Sequence, residues 1–292
     1  MSEVKRLADR WNFFSPPIRP SNREIEEIEK IINVKIGEYK QFRVLILGGT
    51  PEFISLLSKY NNCDVVAFDI NKSNLEAMSL LSGSNNNFII EYFIGNWINK
   101  YDDLVGKFDI VLADTTMYFF DFPDGWKTCL NNIYNYLRND GIFITRQLFF
   151  PEILPSFSSY FDIFIKSWRS DFVDSSRDNI EQYCADICKL KTLMVLEAAD
   201  SVTSLDQKKL KKLTYEMIDG IQRVVPRGLL KVAGDALFSP GPSSEGCKCL
   251  PVSIPRKEEA LVEVKNVGFY LEKDLPGDVL FSESFRTLSF HK

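Results

Sequence analysis

Histidine is all but missing from this 292-residue chain: the single copy, His291, is the penultimate residue. A Ser-His-Asp or Cys-His nucleophilic site needs an imidazole inside the fold, so both are nearly excluded. Cysteine is sparse as well. Six copies are scattered, with Cys184 and Cys188 four apart on a predicted helix and Cys247 and Cys249 flanking a lysine in a predicted loop. Without histidine partners these spacings do not form a tetrahedral zinc site, and no metal is expected. No apolar run approaches the roughly 20 residues that span a bilayer. The first ten residues are charged and lack an apolar signal segment, so a cytoplasmic protein with no membrane partner is expected. An excess of positive charge is lacking too. Lys and Arg number 35 against 40 Asp and Glu, a formal net charge of -5. Such a balance points away from nucleic acid as a partner. The one dense basic run, Lys208, Lys209, Lys211 and Lys212, sits in a helical pattern and reads as a solvated face.

What is present is a globular composition. Hydrophobic residues make up 45% and charged residues 26%, enough for a sizeable core. The 23 phenylalanines read first as core. Residues 1–20, with Trp11, Phe13, Phe14, Pro16, Pro17 and Pro20, read as irregular chain anchored by aromatics. Ser21-Asn22-Arg23-Glu24 has the form of a capping box and predicts a helix with Ile25, Ile28, Ile31 and Ile32 on one face. Together these make residues 1–40 an N-terminal helical cap segment.

Apolar runs at about 43–47, 64–68, 88–94, 108–114 and 141–145 read as strands. Helices are predicted between them at about 51–59, 73–81 and 125–137, the last stopping at the turn signal Asn139-Asp140-Gly141. Strands alternating with helices imply an α/β, doubly wound, mostly parallel sheet. Unbroken apolar runs fit strands buried on both faces. The rhythm then breaks: residues 151–225 read as helical, clearest at 178–199 and 207–221, and 226–256 as a Pro-, Gly- and Ser-rich loop. A helix at 257–266 and strands at 269–273 and 285–290 follow. The expected organisation is an α/β core of 41–150 and 257–292, with 151–256 as a helical insertion and loop that forms a substrate lid.

Chemistry concentrates at the strand ends. Strand one runs into the turn Gly48-Gly49-Thr50-Pro51-Glu52, and strand two ends at Asp69-Ile70. The third strand ends at Gly95-Asn96-Trp97, the fourth at Asp114-Thr115-Thr116-Met117-Tyr118. In an open α/β sheet a glycine turn admits a nucleotide-like ligand, and an acid about 20 residues on takes the ribose hydroxyls. Taken singly, each residue has a simpler role: a backbone turn for Gly48 and Gly49, a helix-start acid for Asp69, a loop position for Asn96, a cap for Asp114. Their recurrence at the ends of four successive strands favours a ligand, because ligands bind there in such sheets. Trp11, Arg19, Tyr118 and Arg146 balance between packing or surface roles and ligand contact.

These elements and their order resemble the class I S-adenosylmethionine-dependent methyltransferases over about 40–150 and again over 257–292. The resemblance implies a Rossmann-like methyltransferase fold, a seven-stranded sheet closed by an antiparallel hairpin, with S-adenosylmethionine as cofactor and S-adenosylhomocysteine as product. It places Gly48, Gly49, Thr50 and Glu52 at the methionine part of the cofactor, Asp69 with Ile70 at the ribose, and Asn96 at the adenine amine with Trp97 as a wall for the ring. Trp11 and Asp114 join the cofactor set, Asp114 and Tyr118 are the candidate catalytic bases, and Thr115, Tyr118 and Arg146 are the candidate acceptor contacts. The turn departs from the family pattern. Ile46 stands where an acid is usual, and Thr50 and Glu52 stand where later glycines are usual. The methionine end must then be held differently, by Glu52 or by the N-terminal aromatic segment. Leu47–Glu52, preceded by Trp11–Pro20, is similar to a bacterial subgroup whose turn reads Leu-Gly-x-Thr-Pro-Glu.

The expected activity is methyl transfer by in-line displacement onto a small molecule or peptide. The run after strand four is neither the Asn/Asp-Pro-Pro-aromatic of DNA adenine methylation nor the Pro-Cys of cytosine methylation. The acceptor atom and the oligomeric state, a homodimer included, stay open. Two other readings compete. A catalytically inactive, methyltransferase-like binding or regulatory protein is motivated by Ile46. A nicotinamide-dependent enzyme lacks its Gly-x-Gly-x-x-Gly here, and Pro51-Glu52 would crowd and repel a pyrophosphate.

Overall fold

The computed structural model describes residues 2–37, 41–83, 88–154, 156–169, 176–200, 204–227, 253–277 and 283–292. Five parallel strands form the body of one sheet: β1 (Phe42–Leu47), β2 (Cys63–Asp69), β3 (Ile90–Ile94), β4 (Phe108–Asp114) and β5 (Leu137–Leu148). Near the C-terminal end of the chain, β8 (Tyr270–Pro276) and β9 (Phe285–His291) complete it. The order is β3-β2-β1-β4-β5-β9-β8, with β9 antiparallel to both β5 and β8. This is the doubly wound, seven-stranded sheet expected, with a mixed edge. A two-stranded ribbon of β6 (Ala199–Asp200) and β7 (Ser204–Leu205) stands apart.

Alternation along each central strand sorts its side chains onto two faces. Val44, Ile46, Ile110 and Ile144 meet Ile28, Ile32, Phe53 and Leu57 from α2 (Asn22–Ile36) and α3 (Pro51–Leu57). Leu45, Val111, Ala113 and Phe143 meet Trp126, Leu130 and Val264 from α5 (Asp124–Tyr136) and α9 (Lys257–Val267). Both faces are therefore covered, which is why these strands read as continuous apolar runs. On the β2 side, α4 (Lys72–Leu81) follows its strand at once.

The helical insertion is present as α6 (Phe157–Ser167), α7 (Arg177–Ala198) and α8 (Gln207–Val224), with its own core around Tyr183, Ile187, Leu193 and Met217. Phe13, Phe14 and Ile18 pack onto that core, so the N-terminal segment joins the insertion to the sheet. Cys247 and Cys249, and most of the expected loop 226–256, lie outside the described residues.

Two local expectations are corrected. The first residues are not irregular: Glu3–Trp11 forms α1, capped by Ser2. Val4, Leu7, Ala8 and Trp11 recur at helical spacing and cluster with Ala77 and Met78 of α4. The aromatic and proline residues that follow obscured this stripe. The signal Asn139-Asp140-Gly141 does not separate helix from strand either. Helix α5 ends at Tyr136 and β5 begins at Leu137. The extra residues are absorbed as a bulge, since Phe108 pairs with Leu137 and Ile110 with Ile142.

The capping box is formed as its sequence predicts. The Ser21 N–H donates to Glu24 Oε2 at 2.9 Å, and the Glu24 N–H donates to Ser21 Oγ at 3.1 Å. Ser21→Ala should cost about 1 kcal/mol of stability, the usual worth of a lost N-cap. A matched pair of denaturant titrations checks this.

Candidate active site

A cavity of about 550 Å³ opens at the C-terminal ends of β1, β2 and β4. Its floor is the turn after β1. Gly48 has φ of 94° and its N–H donates to the Phe68 carbonyl at 2.8 Å, a geometry that disfavours any side chain. At Gly49 a Cβ would stand 3.1–3.3 Å from Met78 and Leu75, so the absence of a side chain there lets α4 approach. Thr50, also in the lining, precedes α3, and Pro51 takes the first helical position.

The acid ending β2 faces the same space. Asp69 is 8% exposed. Its carboxylate accepts from the Asn71 N–H at 2.8 Å and from Asn74 Nδ2 at 3.1 Å. Burial raises its pKa, and those hydrogen bonds pull it partly back. A carboxylate has about four lone-pair sites, so acceptor capacity remains for a ligand. The helix-start role and a ligand role are thus compatible. Beside it lie Ile70, Asn96 and Trp97. The Trp97 indole is fixed by donating to the Phe68 carbonyl at 2.7 Å, and the Asn96 amide oxygen accepts from the Ile98 N–H at 3.2 Å. Trp11 forms part of the wall from α1, and its indole N–H is buried with no partner among the described residues.

Asp114 ends β4 with its carboxylate 4% exposed. Burial pushes it up to about 6, against the opposing pull of Arg146 and the Thr50 hydroxyl. Glu52 and Glu24 add to the upward push. The next residue, Thr115, sits at φ 53°, a left-handed conformation that costs a β-branched residue roughly 1–3 kcal/mol. Its N–H donates to the Arg146 carbonyl at 2.6 Å and its hydroxyl to the Asp114 carbonyl at 2.8 Å. Tyr118 follows, half-buried against Leu148, Leu196 and Phe285, with its phenol pushed upward by burial.

Two residues of the expected set stand elsewhere. Arg146, expected as an acceptor contact, has no exposed surface and does not line the cavity. Its guanidinium donates to Glu24 Oε1 at 3.2 Å, to Asp114 Oδ1 at 2.9 Å and to the Pro17 carbonyl, and it stacks 4.9 Å from the Phe285 ring. A cation on a central strand must find carboxylates inside the fold, and here it does. Glu52, expected at the methionine end, does not line the cavity and pairs with Arg19. Sequence reasoning missed Ile18, Asn74, Met78, Phe119 and Phe120, which also line it. Phe119 and Phe120 directly continue the Asp114–Tyr118 run, and Asn74 lies one helical turn past the N-cap Asn71, so adjacency was their only signal.

Thiol chemistry is disfavoured at the described cysteines: burial pushes Cys129 up to about 12 and Cys184 and Cys188 to about 11. Among the described residues no group of three or more His, Cys, Asp and Glu side chains could hold a metal ion. No described helix is long and apolar enough to cross a membrane.

Two expectations follow from the buried charges. Arg146→Met strands two buried carboxylates and should cost about 3–5 kcal/mol, measurable by denaturant unfolding. For Asp114 the folded value lies above the unfolded one. Its contribution to stability is therefore complete below the unfolded pKa of about 3.9 and is lost as pH rises through about 6. The difference in melting temperature between wild type and Asp114→Asn should shift in favour of the variant between pH 4 and 7. A difference independent of pH would contradict the assignment.

Comparison with known proteins agrees with this geometry. Residues 46–145 match the family model described as a methyltransferase domain. No curated protein matches the sequence. Among solved structures, the CMeT domain of the citrinin polyketide synthase is similar at 15% identity and a TM-score of 0.51, over 99% of this chain and 57% of that one. The CurJ carbon methyltransferase is similar at 10% identity and a TM-score of 0.50, over 94% and 56%. This chain therefore spans little more than half the length of those two. A SAM-dependent methyltransferase from Methanosarcina mazei aligns at 10% identity and a TM-score of 0.49, over 90% and 96%. At these identities the likeness is one of fold. The matched segment, about a third of the chain, lies on β1 to β5 and carries the cavity at their tips, so this part of the chain is similar to a methyltransferase domain.

Proposed function

We propose that the cavity binds S-adenosylmethionine and that the chain transfers its methyl group, by in-line displacement, to a small-molecule or peptide acceptor. The observation that carries this is the convergence of Gly48, Asp69, Trp97 and Asp114, from four different strand ends, on one space. Three features of that space fit the cofactor. The floor at Gly48 is bare backbone, Asp69 keeps spare acceptor capacity for a ribose diol, and the Trp11 indole N–H has no acceptor among the described residues. Asn96 and Trp97 stand next to Asp69, where the adenine would lie. With Glu52 engaged by Arg19, the N-terminal residues Trp11 and Ile18 are the better candidates to enclose the methionine end.

The bound cofactor supplies an already activated methyl group, so the protein's task is alignment, which can contribute roughly 7–11 kcal/mol. Thr115, held in its left-handed turn, directs the β4 end into the cavity. Asp114 is the group placed to hold a proton, and Tyr118 offers a hydroxyl in the same lining. The helical insertion acts through residues it supports: Leu196 of α7 backs Tyr118, and the α6–α8 core backs Ile18. In this reading it shapes the acceptor side and excludes water. The Leu-Gly-x-Thr-Pro-Glu turn, as in the bacterial subgroup, is a working variant of the cofactor loop.

A second reading, a methyltransferase-like binding protein without turnover, draws on Ile46, which is wholly buried in the apolar core where the superfamily usually has an acid. Calorimetry separates the possibilities. Wild type should bind S-adenosylmethionine and S-adenosylhomocysteine, and Asp69→Ala should weaken both by roughly 1.5–3 kcal/mol, the worth of hydrogen bonds to a charged group. No binding at millimolar cofactor would sink the enzyme reading, and an unchanged affinity in the variant would move the ribose elsewhere.

A further inference from the structure

We propose that the methyl acceptor is an amine, taken up as its ammonium form against Asp114 and relieved of its proton there; this rests on the reading of the cavity as the methyl-transfer site.

The charge of the cavity is one-sided. Among the described residues that line it, Asp69 and Asp114 are charged and no lysine or arginine is present. Arg146 does not cancel this. From β5 it serves both Asp114 on β4 and Glu24 on α2, so the three groups together keep one uncompensated negative charge. Glu52 on α3, whose charge also acts on Asp114, is paired with Arg19. Among the described residues the lining offers a carboxylate or phosphate acceptor no lysine or arginine, and desolvating such a group unpaired is costly. A cation would be drawn in. The walls can add to the attraction, because Trp11, Trp97, Tyr118, Phe119 and Phe120 all line the space, and aromatic rings attract ammonium groups.

Burial then distinguishes an amine from a hydroxyl acceptor. Desolvation favours the neutral form of either. For an ammonium this lowers the pKa toward that of Asp114; for a phenol or alcohol it raises the pKa away from it. Both directions occur in this molecule. The Lys191 ammonium is pushed down to about 8 by burial and by Arg10, whereas the Tyr118 phenol in the cavity wall is pushed up. Asp114, itself raised to about 6, is thus matched to an ammonium and mismatched to a buried hydroxyl. In the step the N–H bond of the ammonium breaks, its electron pair stays on nitrogen as the lone pair that a methyl group requires, and the proton forms an O–H bond on the Asp114 carboxylate. The carboxylic acid later returns that proton to water.

The test is saturation-transfer NMR on the full chain loaded with S-adenosylhomocysteine. The ligands are size-matched arylalkyl triplets, of which 2-phenylethylamine, 2-phenylethanol and phenylacetate are the parent set. Amines should bind at least about ten-fold more tightly than the matched alcohols, as expected for a charge-assisted hydrogen bond, and the carboxylates should not bind. Asp114→Asn should level amines with alcohols, with its fold verified by circular dichroism; the wild-type ratios stand as a test even if that variant unfolds. With S-adenosylhomocysteine bound, an absence of amine binding, carboxylates equal to amines, or a preference untouched in a folded Asp114→Asn would overturn the amine assignment alone. Failure of S-adenosylhomocysteine to bind wild type would overturn the function reading and the amine assignment with it.

Discussion

The buried guanidinium of Arg146 is the constraint on which the site depends. It stands on a central strand with no exposed surface, where an unpaired charge could not be tolerated. Its partners come from separate parts of the chain: Glu24 from the first turn of α2, Asp114 from the end of β4, and the Pro17 carbonyl from the segment between α1 and α2. Satisfying one cation therefore brings the N-terminal segment onto the strand ends. Glu24 is shared further, because its other carboxylate oxygen closes the capping box with Ser21. Helix initiation, the placement of residues 13–18 and the orientation of Asp114 are consequences of the same set of hydrogen bonds.

From that arrangement the character of the cavity follows. Residues Trp11 and Ile18 can wall it because the segment carrying them is tied down at Pro17 and packed through Phe13, Phe14 and Ile18 on the insertion. Asp114 is dry enough to be raised in pKa, yet Arg146 keeps it from rising further. The left-handed turn at Thr115 is held by the backbone of the same Arg146. Strain and desolvation of this kind persist only where the surrounding structure supports them. Here both are borne by a sheet covered on both faces.

The strand ends were legible in the sequence because their signals are local. Apolar runs buried on two faces, the glycine turn at Gly48 and Gly49, and an acid at the end of β2 each lie within a few residues, and strand–helix alternation implied a parallel, doubly wound sheet, whereas the closing antiparallel hairpin came from the resemblance. Helix α1 was hidden because a short amphipathic stripe is easily masked by the aromatics and prolines beside it. Arg146 was misread because its partner Glu24 lies 122 residues away, and an arginine after a strand looks the same whether it faces a ligand or a buried carboxylate. Glu52 was misassigned for a related reason: its position in the turn matches a ligand contact, but Arg19, 33 residues earlier, claims it. Pairings between distant charges decide where side chains point, and no local pattern encodes them.

The most direct measurement is a crystal structure of the complex with S-adenosylhomocysteine. The homocysteine chain is expected over the backbone of Gly48, the ribose at Asp69, the adenine between Asn96 and Trp97, and the sulfur facing Asp114, with Arg146 still enclosed by Glu24 and Asp114. A ligand seated away from these strand ends, or Arg146 swung out to meet it, would contradict this placement.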